Sequence, residues 1–152
     1  MAFGITVHRR ADAALYQSHP DVRSEEFDRW CKECQTRWVY ENPLGADGTV
    51  FEFWHVPAIY IGLPLLGSLY ENGLRVEGQR LIELGHELDS LERAWVSTDF
   101  SQADPLSAHT IHSNGIEEVK LVPLVEHLHE RLGYLREAIR IAVECDGVID
   151  IS

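Results

Sequence analysis

Cys31-Lys-Glu-Cys34 is the first pattern in this chain with the residue types for chemistry. A Cys-x-x-Cys pair suits redox work when it opens a helix, where the dipole lowers the thiol pKa. Here Phe27 and Trp30 precede the pair on one apolar helical face, so it lies late in its helix. Glu33 adds a charge that opposes thiolate formation. A zinc site needs a second Cys-x-x-Cys or a His pair at zinc-finger spacing, and neither is present. Both thiols are therefore expected in the core.

Glu83-x-x-His86 and Glu126-x-x-His129 are the next candidates. Two such pairs on two helices supply half of a di-iron carboxylate site, whose other half is a Glu from each of two further helices. All must point inward. At about 100° per residue, Glu83 and His86 fall opposite Leu81, Leu88 and Trp95. Glu126 and His129 likewise fall opposite Leu128, Leu135 and Ile139. Both pairs are expected to face solvent, and no metal or cofactor is expected. His109 and His112 lie in a polar stretch without an acidic or thiol ligand at a recognised spacing. His127 and His129 alternate as strand ligands would, but on a helix i and i+2 diverge. Cys145 sits between Glu144 and Asp146, which blunt it as a nucleophile. No phosphate-binding glycine loop and no nucleophile elbow occurs.

The elements that must position these residues follow from periodicity. Phe3-Gly-Ile-Thr-Val7 predicts an opening strand, and residues 11–19 a short helix broken at His19-Pro20. Ser24 is the N-cap type, with Glu25 and Glu26 in the first turn, so a helix is expected over 24–36. Trp38-Val39-Tyr40 and residues 50–56 predict a hairpin around the turn residues 42–48. In its second strand Val50, Glu52, Trp54 and Val56 would share one face. Pro64 suits the start of a short helix, Gly73 its end, and Leu74-Arg-Val76 a short strand. Leu81, Leu84, Gly85, Leu88, Leu91 and Trp95 form a stripe that predicts a helix over 79–96. Residues 97–114 are expected as a long polar loop, of the kind that carries function. A last helix runs from near Pro123, with Leu124, Leu128, Leu132, Leu135, Ile139 and Ala142 inside. Gly147 is expected to end it in the left-handed conformation, before a closing strand over 148–151. The sum is an α+β fold: a small antiparallel sheet with amphipathic helices packed on it, in one domain over 1–152.

Charge narrows the function. The formal net charge is −12, from 25 acids against 13 bases, and most of the excess lies beyond residue 76. Such a surface repels phosphate backbones and anionic membranes and attracts a basic protein. Three cysteines without a framework argue against a disulfide-stapled secreted domain. The first ten residues lack the apolar core of a signal peptide, and residues 56–70 are too short and Pro-broken to span a bilayer. A reducing, cytoplasmic location is expected. Glu83, Glu87, Asp89 and Glu92 line the polar face of the 79–96 helix, and Asp99, Asp104, Glu117 and Glu118 surround the polar stretch. Together they are the expected docking surface for a basic partner.

The segment Leu81-Ile-Glu-Leu-Gly-His-Glu-Leu-Asp-Ser-Leu-Glu-Arg-Ala-Trp95, with residues 132–151 closing into an Ile-rich strand, resembles small bacterial immunity proteins of polymorphic or contact-dependent toxin systems. The resemblance implies tight, non-catalytic inhibition of one cognate toxin, often a nuclease, whose phosphate-holding site an acidic protein can block. Two other classes fit the residues. One is a small metal-binding protein or enzyme using His55, His86, His109, His112 or His129. The other is a subunit that joins a hetero-oligomer through the apolar 58–69 segment; a homodimer is also compatible.

Overall fold

The computed structural model describes residues 2–100, 106–111 and 114–152. Strand β1 (Ala2–Arg9) runs into a 3-10 turn (Arg10–Asp12) and helix α1 (Ala13–Gln17). Helix α2 (Glu25–Arg37) follows, and strand β2 (Trp38–Ala46) starts directly from its end. A continuous helical stretch comes next: α3 (Asp47–Val50), a π-helical turn (Phe51–His55) and α4 (Val56–Ile61). Then come β3 (Leu74–Glu77), α5 (Gln79–Val96), β4 (Leu106–Ile111), β5 (Glu117–Val122), α6 (Leu124–Cys145) and β6 (Gly147–Ile151).

Four strands form one antiparallel sheet in the order β2-β1-β6-β3. This is the expected α+β architecture. Alternation sorts the sheet's two faces. Ile5, Val7, Leu74, Val76, Ile149 and Ile151 point to the core side, where they meet the stripes of α5 and α6. Leu81, Leu84, Leu88, Leu91 and Trp95 from α5 are buried there, as are Leu124, Leu128, Leu132, Leu135 and Ala142 from α6. Gly4, Thr6, His8, Val148 and Asp150 point the other way, and α1 and α2 cover that face. The Tyr16 ring stacks on His8 at 3.9 Å, and its hydroxyl donates to the Cys34 carbonyl at 2.8 Å.

Residues 50–56 are not a strand. The stretch 42–48 does not turn: Pro43 sits in the edge strand β2, where a missing N–H costs no ladder bond. Leu44 is a bulged extra residue between partners of Phe3 and Gly4, and its side chain is fully buried. The chain beyond is helical because Val50, Trp54 and Ala58, each four residues on, then all reach the core. A strand would have drawn Glu52 inward with Val50 and Trp54; the helix leaves Glu52 and Val56 at the surface. The segment after Pro64 holds only a 3-10 turn (Leu66–Ser68). The left-handed glycine closing α4 is Gly62, at φ 78°.

Two further expectations change. Asp146, not Gly147, takes the left-handed conformation after α6. Gly147 opens β6, and a Cβ there would lie 3.0 Å from the His8 carbonyl and 3.2 Å from Val7, so glycine is needed for close strand approach. The 97–114 stretch is not all loop: β4 pairs with β5 from Leu106↔Val122 to Ile111↔Glu117, forming a separate two-stranded ribbon. That ribbon was hidden because its strands are rich in polar residues and lack a clear alternation.

Histidine 8 adds a pH dependence. It is fully buried, and neither ring nitrogen has a hydrogen-bond partner among the described residues. Burial, and then the positive charge of Arg75, pull its pKa below 6.5. The unfolded chain takes up a proton near pH 6.5 that the folded chain resists, so stability falls as pH drops below that point. The slope is at most about 1.4 kcal/mol per pH unit. Urea unfolding at pH 7 and pH 5 should show a larger acid loss for the wild type than for His8→Phe. Equal losses would mean that His8 is free to protonate in the folded state.

Candidate functional site

The polar face of α5 is less open than its sequence suggests. Glu87 is buried, at 7% exposure. Its carboxylate accepts the backbone N–H of Leu65 at 3.1 Å and of Leu66 at 3.0 Å, where the chain enters the 3-10 turn. It is an internal cap and leaves the docking set. The cause is tertiary: only the fold brings the 58–69 segment over this helix, and those N–H donors need an acceptor.

Asp89 and Glu92 are half-buried and tied to α6. Arg136 donates to Asp89 at 2.8 Å and to Glu92 at 3.4 Å, so one guanidinium spans both acids. His129 Nδ1 lies 3.7 Å from the Glu92 carboxylate. These contacts run between two antiparallel helices and are partly exposed, so they set register more than they add stability. Glu83 is exposed, nine residues before Glu92, which places it roughly 13.5 Å away along the axis. Asp99, Glu117 and Glu118 are exposed, and Asp99 lies just beyond the end of α5. Asp104 and His112 lie outside the described residues.

The end of the α5–α6 pair gathers what the sequence scattered. A cleft of about 340 Å³ there is lined by Trp95, Val96, Asp99, Phe100, Val125 and His129. Val96 is 75% exposed. The ribbon enters α6 through Pro123, and Val119 and Leu121, on one face of β5, are exposed. The expected acid Asp99 thus accompanies exposed apolar side chains in this cleft, and Glu117 shares a face of β5 with Val119 and Leu121, which charge counting alone could not reveal. Leu106 and Phe100 pack against the core from this end.

The histidine pairs lie as expected: Glu83, His86, Glu126 and His129 are all at the surface. Among the described residues, no three His, Cys, Asp or Glu side chains are grouped closely enough to share an ion. His109 falls on β4 opposite Val119. His55 is buried and rests against the rings of Tyr70, at 4.7 Å, and Phe51. His127 is also largely enclosed, and burial lowers its pKa. The 58–69 segment is divided: Ala58, Leu65, Leu66 and Leu69 are core, while Ile59 and Tyr60 are exposed.

The two cysteines of the Cys-x-x-Cys pair differ. Cys34 is 4% exposed, and burial raises its thiol pKa. Cys31 is only half-buried, although both thiols line the same hollow beneath α2. Native thiol labelling should therefore modify Cys31 well before Cys34, with Cys34 reacting on unfolding. Equal, rapid labelling of both would contradict this placement.

Among the described residues, no helix is long and apolar enough to cross a membrane. No protein-family model, no curated protein and no solved structure matches this chain.

Proposed function

We propose that this protein is an immunity-type inhibitor, which binds a cognate toxin domain of basic surface in the cytoplasm and blocks it without catalysing a reaction. One observation supports this best. At the end of the α5–α6 pair, exposed Val96 and Val125 line a cleft with Asp99, and the strand leading into α6 carries exposed Glu117, Val119 and Leu121 on one face, in a chain of net charge −12. An apolar centre with a charged rim is the usual anatomy of a specific protein interface. The acids would steer a basic partner and fix its orientation, and the apolar side chains would hold it once docked.

The test is co-expression with the toxin encoded by the adjacent reading frame. The wild type is expected to protect. The Asp99→Lys/Glu117→Lys/Glu118→Lys variant should fold and lose protection, with affinity weakened roughly 30-fold or more, equivalent to about 2 kcal/mol or more. Glu83→Lys, far along α5, should protect like the wild type. The association rate should fall as salt rises, since the Debye length is about 10 Å at 0.1 M. A folded triple variant that still protects would place the interface elsewhere. A wild type that protects against no adjacent toxin would end the immunity reading.

A further inference from the structure

On the sheet face away from the main core lies a hollow of about 520 Å³, between α2 and strands β1, β2 and β6. Its size falls within the range of small-ligand sites, about 300–1,000 Å³. The hollow exists because the two layers are mismatched. The helical side brings Trp30 and Cys31, with Trp38 at the α2–β2 junction. The strand side brings the small residues Gly4, Thr6 and Ser152 beside Glu41 and Asp150. Gly4 is not required by its backbone: a Cβ there would meet nothing closer than the Ser152 carbonyl at 3.9 Å. A larger floor residue would fit, yet the space stays open.

The walls are held in place. The Tyr16 ring lies against fully buried His8, and its hydroxyl is bonded to the Cys34 carbonyl. The Trp30 indole N–H donates to the Leu15 carbonyl at 2.7 Å, and its ring meets His19 at 4.5 Å. Around the hollow, carboxylates outnumber fixed cations, and its lining includes the His19 imidazole. Glu41 and Asp150 line it, and no lysine or arginine does among the described residues. Arg75 reaches Asp150 at 3.3 Å, and Glu41 stands at the exposed rim. Tyr16, Trp30 and Trp38 with Glu41 at the rim, and no lysine or arginine in the lining among the described residues, suit a cation with an apolar body.

We propose that this hollow is a binding site for a small organic cation, an alkylated ammonium held by Tyr16, Trp30 and Trp38 with Glu41 at its rim. The aromatic faces take the alkyl groups through cation–π attraction, and Glu41 offsets the charge, Asp150 being paired with Arg75. The site lies on a different face from the surface assigned to the toxin, so neither assignment depends on the other.

The test uses the full chain with choline and its uncharged carbon isostere, 3,3-dimethylbutan-1-ol, followed by tryptophan fluorescence and calorimetry. Choline is expected to bind saturably in the millimolar range, and the isostere at least fivefold more weakly. Trp38→Leu should abolish saturation. Glu41→Gln, an exposed change that leaves packing intact, should weaken choline binding and leave the isostere unaffected; circular dichroism confirms that each variant is folded. No saturable choline binding, or equal binding of choline and the isostere, overturns the proposal. So does choline binding that a folded Glu41→Gln variant leaves unchanged.

Discussion

Replacing Glu87 with alanine is expected to lower the unfolding free energy by about 2–5 kcal/mol, a loss as large as that of a core side chain. The side chain is enclosed, and its two oxygens hold the N–H groups of Leu65 and Leu66 at 3.0–3.1 Å. Removing the carboxylate leaves two buried donors without an acceptor, each costing about 1–3 kcal/mol. Relief of the carboxylate's own desolvation offsets part of this. Glu87→Gln retains one acceptor oxygen but turns its amide donors toward the same N–H groups, so it should lie between wild type and alanine. Glu87→Lys should be the worst, because it sets an ammonium against those donors. Urea unfolding followed by far-ultraviolet circular dichroism reads all three. A Glu87→Lys protein with the wild-type midpoint would show that the carboxylate faces solvent and takes no part in the fold. A failure of protection in any Glu87 variant would report unfolding, not a lost toxin contact.

Trp54→Ala is expected to cost about 3–5 kcal/mol, the range for deleting a large buried aromatic. Trp54 is fully buried between α3 and α4, and its ring meets Trp95 edge-on at 4.9 Å. Trp54→Phe should cost clearly less. It keeps most of the buried area and removes an indole N–H that bonds no partner among the described residues. Val56→Ala supplies the decisive control. A strand over 50–56 would place Val56 on the same face as Trp54, and its truncation would then be costly. In the helical register Val56 is exposed, and the cost should stay within about 0.5 kcal/mol. Comparable losses at 54 and 56 would restore the strand.

The same segment marks the boundary of what periodicity can decide. Val50 and Trp54 share a face at period two and also at period four, and aromatic and β-branched residues favour the strand. The third member of the helical stripe is Ala58, which carries little apolar weight in a sequence pattern. Only the packed core distinguishes the two, by taking Ala58 in and leaving Glu52 and Val56 out. A long stripe leaves no such ambiguity. The leucines of α5 and α6 repeat over several turns, so both helices were legible, and so was the solvent direction of Glu83, His86, Glu126 and His129.

The candidate site divides along the same line. By itself, the sequence determined the acidity of the chain, the α+β class, the two long helices and the strands at both ends, because each depends on composition or on contacts within one element. Tertiary structure alone decided which acids are available. Glu87 and Glu83 lie one turn apart on the same polar face of α5. Yet Glu87 turns inward to cap Leu65 and Leu66, and Glu83 stays in water. Asp89 and Glu92 are drawn to Arg136, forty-odd residues away in the chain. A side chain's partners across such distances are set by where the backbone donors and opposite charges come to rest, and no local pattern encodes that.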